Sequence, residues 1–332
     1  WGANKFGQLG QGTIENPLNA MPSTSDVLSG VQAVAAGSEH TCALMKTGGV
    51  RCWGANGVGE LGDGILSDRS IPPADDVLGG VQAIAASYLH TCVLMATGGV
   101  RCWGGNDEGE LGDGTTTNRS IPPTSDVLGG VQAIATGREH TCALTATGGV
   151  RCWGGDTEGE LGVGSLNFSP TATPPTSDVL GGVQAIAACG HYTCALMKTG
   201  GVRCWGDNDY GQLGNGTRLQ YVASPPTSDV LSGVQAVATG FAHTCALMTT
   251  GGVRCWGYNQ FGQLGDGTTT DRWTPPTNDV LSGVQAIAAG YYHTCAVMTT
   301  GGVRCWGRNE YGQLGIPLPN HSTPAPVLGI CH

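Results

Sequence analysis

The sequence predicts an all-β protein, a β-propeller of four-stranded blades, and three observations carry that reading. Glycine makes up 57 of the 332 residues, far above the roughly 7 % of ordinary proteins, while only 12 % are charged. A hairpin, HTCALMKTGGVRCWG at 40–54, is rewritten at 90–104 and in close copies ending at Gly154, Gly206, Gly257 and Gly307. A Trp-Gly turn running into Gly-Gln-Leu-Gly or Gly-Glu-Leu-Gly recurs from Trp1–Gly10 to Trp306–Gly315, at a period of 50 to 52 residues. Fixed periods of about 20–50 residues mark solenoids and propellers.

Within one repeat, VQAVAA at 31–36 is a short small-residue strand, 41–45 a second and 50–53 a third. Runs this brief, bounded by Gly and turn residues, suit strands rather than helices. A looser fourth strand falls at 21–27 and its later copies. The Pro-Pro pairs at 72–73, 122–123, 174–175, 225–226 and 275–276 lie in that strand. Proline cannot donate to a ladder, so the fourth strand should form the outer edge, while the Ala-rich strand suits a crowded inner position. Length differences are confined to one loop: Gly62 to Val77 has 16 residues and Gly162 to Val179 has 18.

One propeller domain is expected over 1–332, with six complete repeats at 31–328 flanked by partial repeats at 1–30 and 329–332. Seven blades with the seventh incomplete fit that count, as does a chain that is a segment of a longer protein. No stretch approaches the ~18 apolar residues of a membrane helix. A formal net charge of −10 argues against nucleic acid, whose binders cluster Lys and Arg on one face.

Twelve of the 14 cysteines form six pairs at one spacing: Cys42 with Cys52, Cys92 with Cys102, Cys142 with Cys152, Cys194 with Cys204, Cys245 with Cys255 and Cys295 with Cys305. If residues 46–48 make a three-residue loop with Gly48 left-handed, Cys42 lies directly opposite Cys52, at a separation a disulfide tolerates. One disulfide per blade is therefore expected, and with it an oxidising compartment, either secreted or at a cell surface. Metal and cofactors are not expected, because His40, Cys42 and Cys52 supply too few ligands and lack CxxC knuckles. Cys189 and Cys331 fall outside the pattern, either unpaired or bonded between chains. Candidate glycosylation sequons begin at Asn118, Asn167, Asn215 and Asn320.

The WGxNxxGQLG turn together with GxxHTxAL resembles the repeat of the regulator of chromosome condensation family. The resemblance implies a seven-bladed β-propeller, here a secreted, disulfide-containing member. It leaves function open, since the family includes an exchange factor for the small GTPase Ran, a plant ultraviolet-B photoreceptor and a secreted β-lactamase inhibitor. An exchange factor would need an inserted wedge that these uniform repeats lack. The photoreceptor would need tryptophans where none stands here.

Positions that differ between such similar copies point to a face. The residues before the second strand vary (Glu39, Tyr88, Leu89, Arg138, Glu139, His191, Phe241, Tyr291, Tyr292), and so do those after Trp-Gly (Tyr210, Tyr258, Phe261, Arg308, Tyr311). Both loops should emerge on one face, and aromatics with Arg are what contact surfaces use. The repeated tryptophans, such as Trp53, read as packing. The repeated arginines, such as Arg51, read as a fixed interblade bond, and the Gly-Asp-Gly motifs as turns. For catalysis only Glu39, Glu139 and His191 come into view, with nothing to fix their geometry, so no enzyme is expected. The expected function is an extracellular or cell-surface binding module that recognises a protein or glycan. The competing expectation is a structural subunit of a larger extracellular assembly, held by self-assembly or by further domains of the same chain.

Overall fold

Antiparallel sheets account for all the regular structure in the computed structural model, which describes residues 1–16, 22–23 and 25–327. Among these residues six sheets follow one another along the chain, each built from one repeat. They fall into two compact units: an early unit of residues 4–16 and 25–181, holding repeats one to three, and a late unit of residues 1–3, 22–23 and 182–327, holding repeats four to six.

The hairpin in each repeat forms as its sequence dictates. Strand His40–Met45 pairs with Val50–Gly54 so that Leu44 faces Val50 and Cys42 faces Cys52. Gly48 turns the loop at φ +82°, and Gly48 N donates to Met45 O at 2.9 Å. Only a residue free of a Cβ takes that conformation without strain. All six expected disulfides form: Cys42 bonds to Cys52, Cys92 to Cys102, Cys142 to Cys152, Cys194 to Cys204, Cys245 to Cys255 and Cys295 to Cys305, each pair with Cα atoms 4.1 Å apart.

Core packing runs between successive repeats within a unit. In the early unit the Cys42–Cys52 bridge, Leu44, Val50 and Leu61 bury against Val81, Val93, Met95 and Trp103 of the next repeat. In the late unit the Cys245–Cys255 bridge, Leu247 and Leu264 bury against Val284, Ala296 and Trp306. The indole N–H of Trp103 and the hydroxyl of Thr91 both donate to the Glu60 carbonyl, at 2.9 and 3.0 Å. Gly62 must stay glycine, because a Cβ there would sit 2.7 Å from Trp103 Nε1. The tryptophans are packing residues, as the sequence suggests.

Two expectations need correction. The fourth strand is not continuous through the Pro-Pro pair. In the first repeat it touches the sheet only where Arg69 meets Gly54 and where Leu78 meets Val50, on either side of Pro72 and Pro73. Each proline removes a donor and fixes φ, so the ladder breaks between those points. The expected first copy of this strand, at 21–27, lies partly outside the described residues, and the partial repeat at 329–332 lies wholly outside them. The repeated arginine bonds within its own sheet rather than to a neighbouring one: Arg51 Nε donates to Asp76 Oδ1 at 2.7 Å, and the pattern recurs at Arg101–Asp126, Arg151–Asp178, Arg203–Asp229 and Arg254–Asp279. The Gly-Asp-Gly motifs are turns, each tied to an arginine, as in Asp113–Arg119 at 2.7 Å.

Candidate functional site

The two variable loops of a repeat are joined by one backbone bond. Tyr258 N donates to Ala242 O and Arg308 N to Tyr292 O, both at 2.9 Å. A second anchor is the tetrad glutamine: Tyr210 N and Phe261 N donate to the side-chain oxygens of Gln212 and Gln263 at 3.0 Å, and Tyr311 N to that of Gln313 at 2.9 Å. Sequence reasoning missed this role of the glutamine, although its place two residues beyond each variable aromatic is the signal.

In the late unit these anchors bring eight of the expected residues together, seven aromatic rings and Arg308, as one cluster. Phe241 stacks on Tyr291 with ring centroids 4.6 Å apart, and Phe241 N donates to Tyr291 O across the two repeats. Tyr292 lies at the centre, 5.7 Å from Phe241, 5.7 Å from Tyr258, 5.3 Å from Phe261 and 5.4 Å from Tyr291. Tyr210 meets Tyr258 edge-on at 4.7 Å. Arg308 lies 5.1 Å from the Phe261 ring and 5.7 Å from both Tyr292 and Tyr311, with its guanidinium ion-paired to Glu310. These rings are half-buried, and Tyr311, at 43 % exposure, is the most open. Burial pushes the phenols of Tyr258 and Tyr292 up, so both keep their protons.

The early unit gathers its expected residues differently. Arg138 lies over the Tyr88 ring at 4.9 Å and pairs with Glu139 at 3.4 Å. Leu89 covers Gly105, and Glu39 stands exposed. Beside them burial raises the carboxyl of Glu108, helped by the charges of Glu139, Asp107 and Glu160. Burial pushes Glu110 up to about 7. No group of three metal-binding side chains comes together among the described residues. His191, in the late unit, offsets part of the burial that raises the carboxyl of Asp207.

Trp273, 44 % exposed with Arg218 5.5 Å from its ring, was not singled out from sequence. The signal was there: it is the one tryptophan outside the repeated Trp-Gly turns. Cys189 carries no disulfide, and burial pushes its thiol up to about 11. Cys331 lies outside the described residues. The four sequon asparagines are exposed. Asn118 and Asn320 also anchor loops, accepting the backbone N–H of Asn106 and Asn309 at 2.8 Å.

Comparison with known proteins gives one consistent picture. Residues 52–331 match the RCC1-like domain, and residues 1–44 and 31–60 match the regulator of chromosome condensation (RCC1) repeat. The human probable E3 ubiquitin-protein ligase HERC4 is 45 % identical over 89 residues, 26 % of this chain and 8 % of that ligase. Human HERC2 is 41 % identical over 90 residues, 26 % of this chain and 2 % of that ligase. Human WBSCR16 superposes with a TM-score of 0.78 at 25 % identity, covering 92 % of this chain and 83 % of its own. Yeast RCC1 (Prp20), solved with Kap60 bound, superposes with a TM-score of 0.82 at 23 % identity, covering 98 % of this chain and 82 % of its own. These likenesses place the fold among RCC1 propellers.

Proposed function

Because this chain belongs to the RCC1-like domain family, a family of protein-binding propellers, we propose that it is a non-catalytic module that binds a protein through the aromatic loop cluster of its late unit. The observation that carries this reading is the convergence of Phe241, Tyr258, Phe261, Tyr291 and Tyr292 with Arg308, all from loop positions that change between repeats. Rigid rings with few rotatable bonds give contact area at low entropic cost, and Tyr and Arg dominate measured hot spots. Kap60 is bound to the yeast relative, which favours a protein ligand over a glycan here.

Six disulfides fit an oxidising compartment, and no helix among the described residues is long and apolar enough to cross a membrane. We take the site of action to be secreted or at a cell surface. The test uses the unreduced chain as bait beside two variants, the triple Phe241→Ala, Tyr291→Ala, Tyr292→Ala and the double Tyr88→Ala, Leu89→Ala. A protein lost by the first variant and kept by the second supports the reading. Equal capture by all three overturns it, and capture of glycans alone from an array redirects it. Native, unreduced material in which all twelve paired cysteines alkylate would refute the compartment.

A further inference from the structure

The outer edge of the sixth repeat departs from a rule the other five obey. In each of those, an arginine on the third strand donates Nε to an aspartate at 2.6–2.7 Å. The same carboxylate lies over the glycine two residues before that arginine, filling the space a Cβ would need at Gly49, Gly99, Gly149, Gly201 and Gly252. The aspartate is placed by the next residue, whose N–H bonds to the third strand: Val77 N to Val50 O, and Val280 N to Val253 O. In the sixth repeat Val327 N bonds to Val303 O at 2.9 Å in the same way. Pro326 therefore stands where the aspartate should be.

Arg304 and Gly302 are still present. Arg304 is exposed, whereas its five counterparts are about three-quarters buried. Among the described residues nothing bonds to its guanidinium. Beside it lies an open hollow of 410 Å³ lined by Thr300, Gly302, Val303, Arg304 and Pro326. We propose that this is a carboxylate-binding site, the seat of the internal Asp–Arg pair with its own acid replaced by proline, and that it takes a carboxylate from outside the repeat. Arginine suits this ligand because its planar fork matches both carboxylate oxygens, and glycine leaves room for the second oxygen. The ligand is either a free carboxylate or an acidic side chain carried by a peptide.

The experiment follows the Nε–H resonance of Arg304 in the isotopically labelled full chain, assigned by its loss in Arg304→Lys. The probes are sodium acetate, against sodium chloride at equal ionic strength, and an end-blocked peptide copying Thr277–Leu281, against its Asp-to-Asn analogue. Acetate and the acidic peptide should shift Arg304 saturably, while Arg254 stays still. In Pro326→Asp the resonance should start at the shifted position and no longer respond, whereas Pro326→Asn should respond like the parent. A peptide bound about tenfold or more tighter than acetate, a gain of about 1.4 kcal/mol, identifies a polypeptide donor, and equal binding identifies a free carboxylate. The proposal fails if chloride moves Arg304 as far as acetate does, or if Pro326→Asp responds like the parent.

Discussion

The early and late units share one frame and differ at the rim. Both repeat the disulfide, the buried tryptophan and the tetrad that accepts its indole N–H: Trp103 donates to Glu60 O and Trp306 to Gln263 O, both at 2.9 Å. Their variable loops diverge. Late loops pack aromatic rings on one another, whereas early loops hold carboxylates near one another beside a single Tyr–Arg contact. The difference extends inward, because the buried tetrad residues are Gln212 and Gln263 in the late unit but Glu60, Glu110 and Glu160 in the early one, where only the half-buried Gln8 keeps the amide. A frame whose bonds run through backbone carbonyls leaves its loop side chains free to change. Contact chemistry can therefore diverge between units without altering the fold.

The largest effect should fall on what the units share. His40, His90 and His243 are buried, and burial holds them at about 4, about 3 and about 3. Between pH 6.5 and about 4 the unfolded chain binds protons that the folded chain refuses, so stability falls as pH drops through that window. A tenfold loss of proton affinity on folding corresponds to about 1.4 kcal/mol. Denaturant titrations across pH 4–7 should show this loss, and its absence would mean the histidines are not sealed. Next in size, Trp103→Ala and Trp256→Ala should each cost about 3–5 kcal/mol. Similar losses in urea denaturation would confirm a common frame, and a loss confined to one unit would break the comparison.

Asp156 sharpens the comparison further. It occupies the position of Asn56, Asn106, Asn208, Asn259 and Asn309, whose amides donate to loop carbonyls or side chains. A carboxylate cannot donate. Its Oδ1 accepts Leu161 N, Oδ2 is buried without a partner, and burial raises the group to about 7. Its folded value lies above its unfolded one, so this residue lowers stability as pH rises from about 4 to 7, opposite in sign to the histidines. Asp156→Asn should add about 1–3 kcal/mol at pH 8 and much less at pH 5. Asn208→Asp should do the reverse in the late unit. Equal effects at both pH values would refute the account.

The hairpin register and all six disulfides were legible because a period-two pattern and a fixed loop leave a single pairing for Cys42 and Cys52. The discontinuous outer strand was not, since Pro72 and Pro73 mark an edge without telling whether contact survives between them. The direction of Arg51 was missed because Asp76 lies 25 residues away and only the folded sheet brings the two together. Variability singled out the aromatic positions, but Tyr and Phe look alike in sequence whether they meet or not. It gave no sign that Tyr292 would lie at the centre while Glu39 stands apart. The exchange of His for Tyr192 was equally opaque: its hydroxyl donates to His243 O at 2.5 Å, whereas the histidines reach a threonine in the next repeat.

The smallest effect tests the rim itself. Tyr292 and Leu89 hold the same place in their repeats, directly before the histidine that opens the second strand. Tyr292 contacts four rings, and aromatic pairs contribute about 0.5–1.5 kcal/mol each beyond burial, with shared contacts that do not add fully. Tyr292→Ala should therefore cost about 1–2 kcal/mol, while Leu89→Ala, half-buried against Gly105, should cost under about 1 kcal/mol. A shift in Tm for Tyr292→Ala with little for Leu89→Ala would show that the late rim is preorganised, its rings held by one another before any partner arrives. Matching small shifts would mean that the rings are ordered only on binding, and the affinity of the cluster would then have to cover that ordering as well.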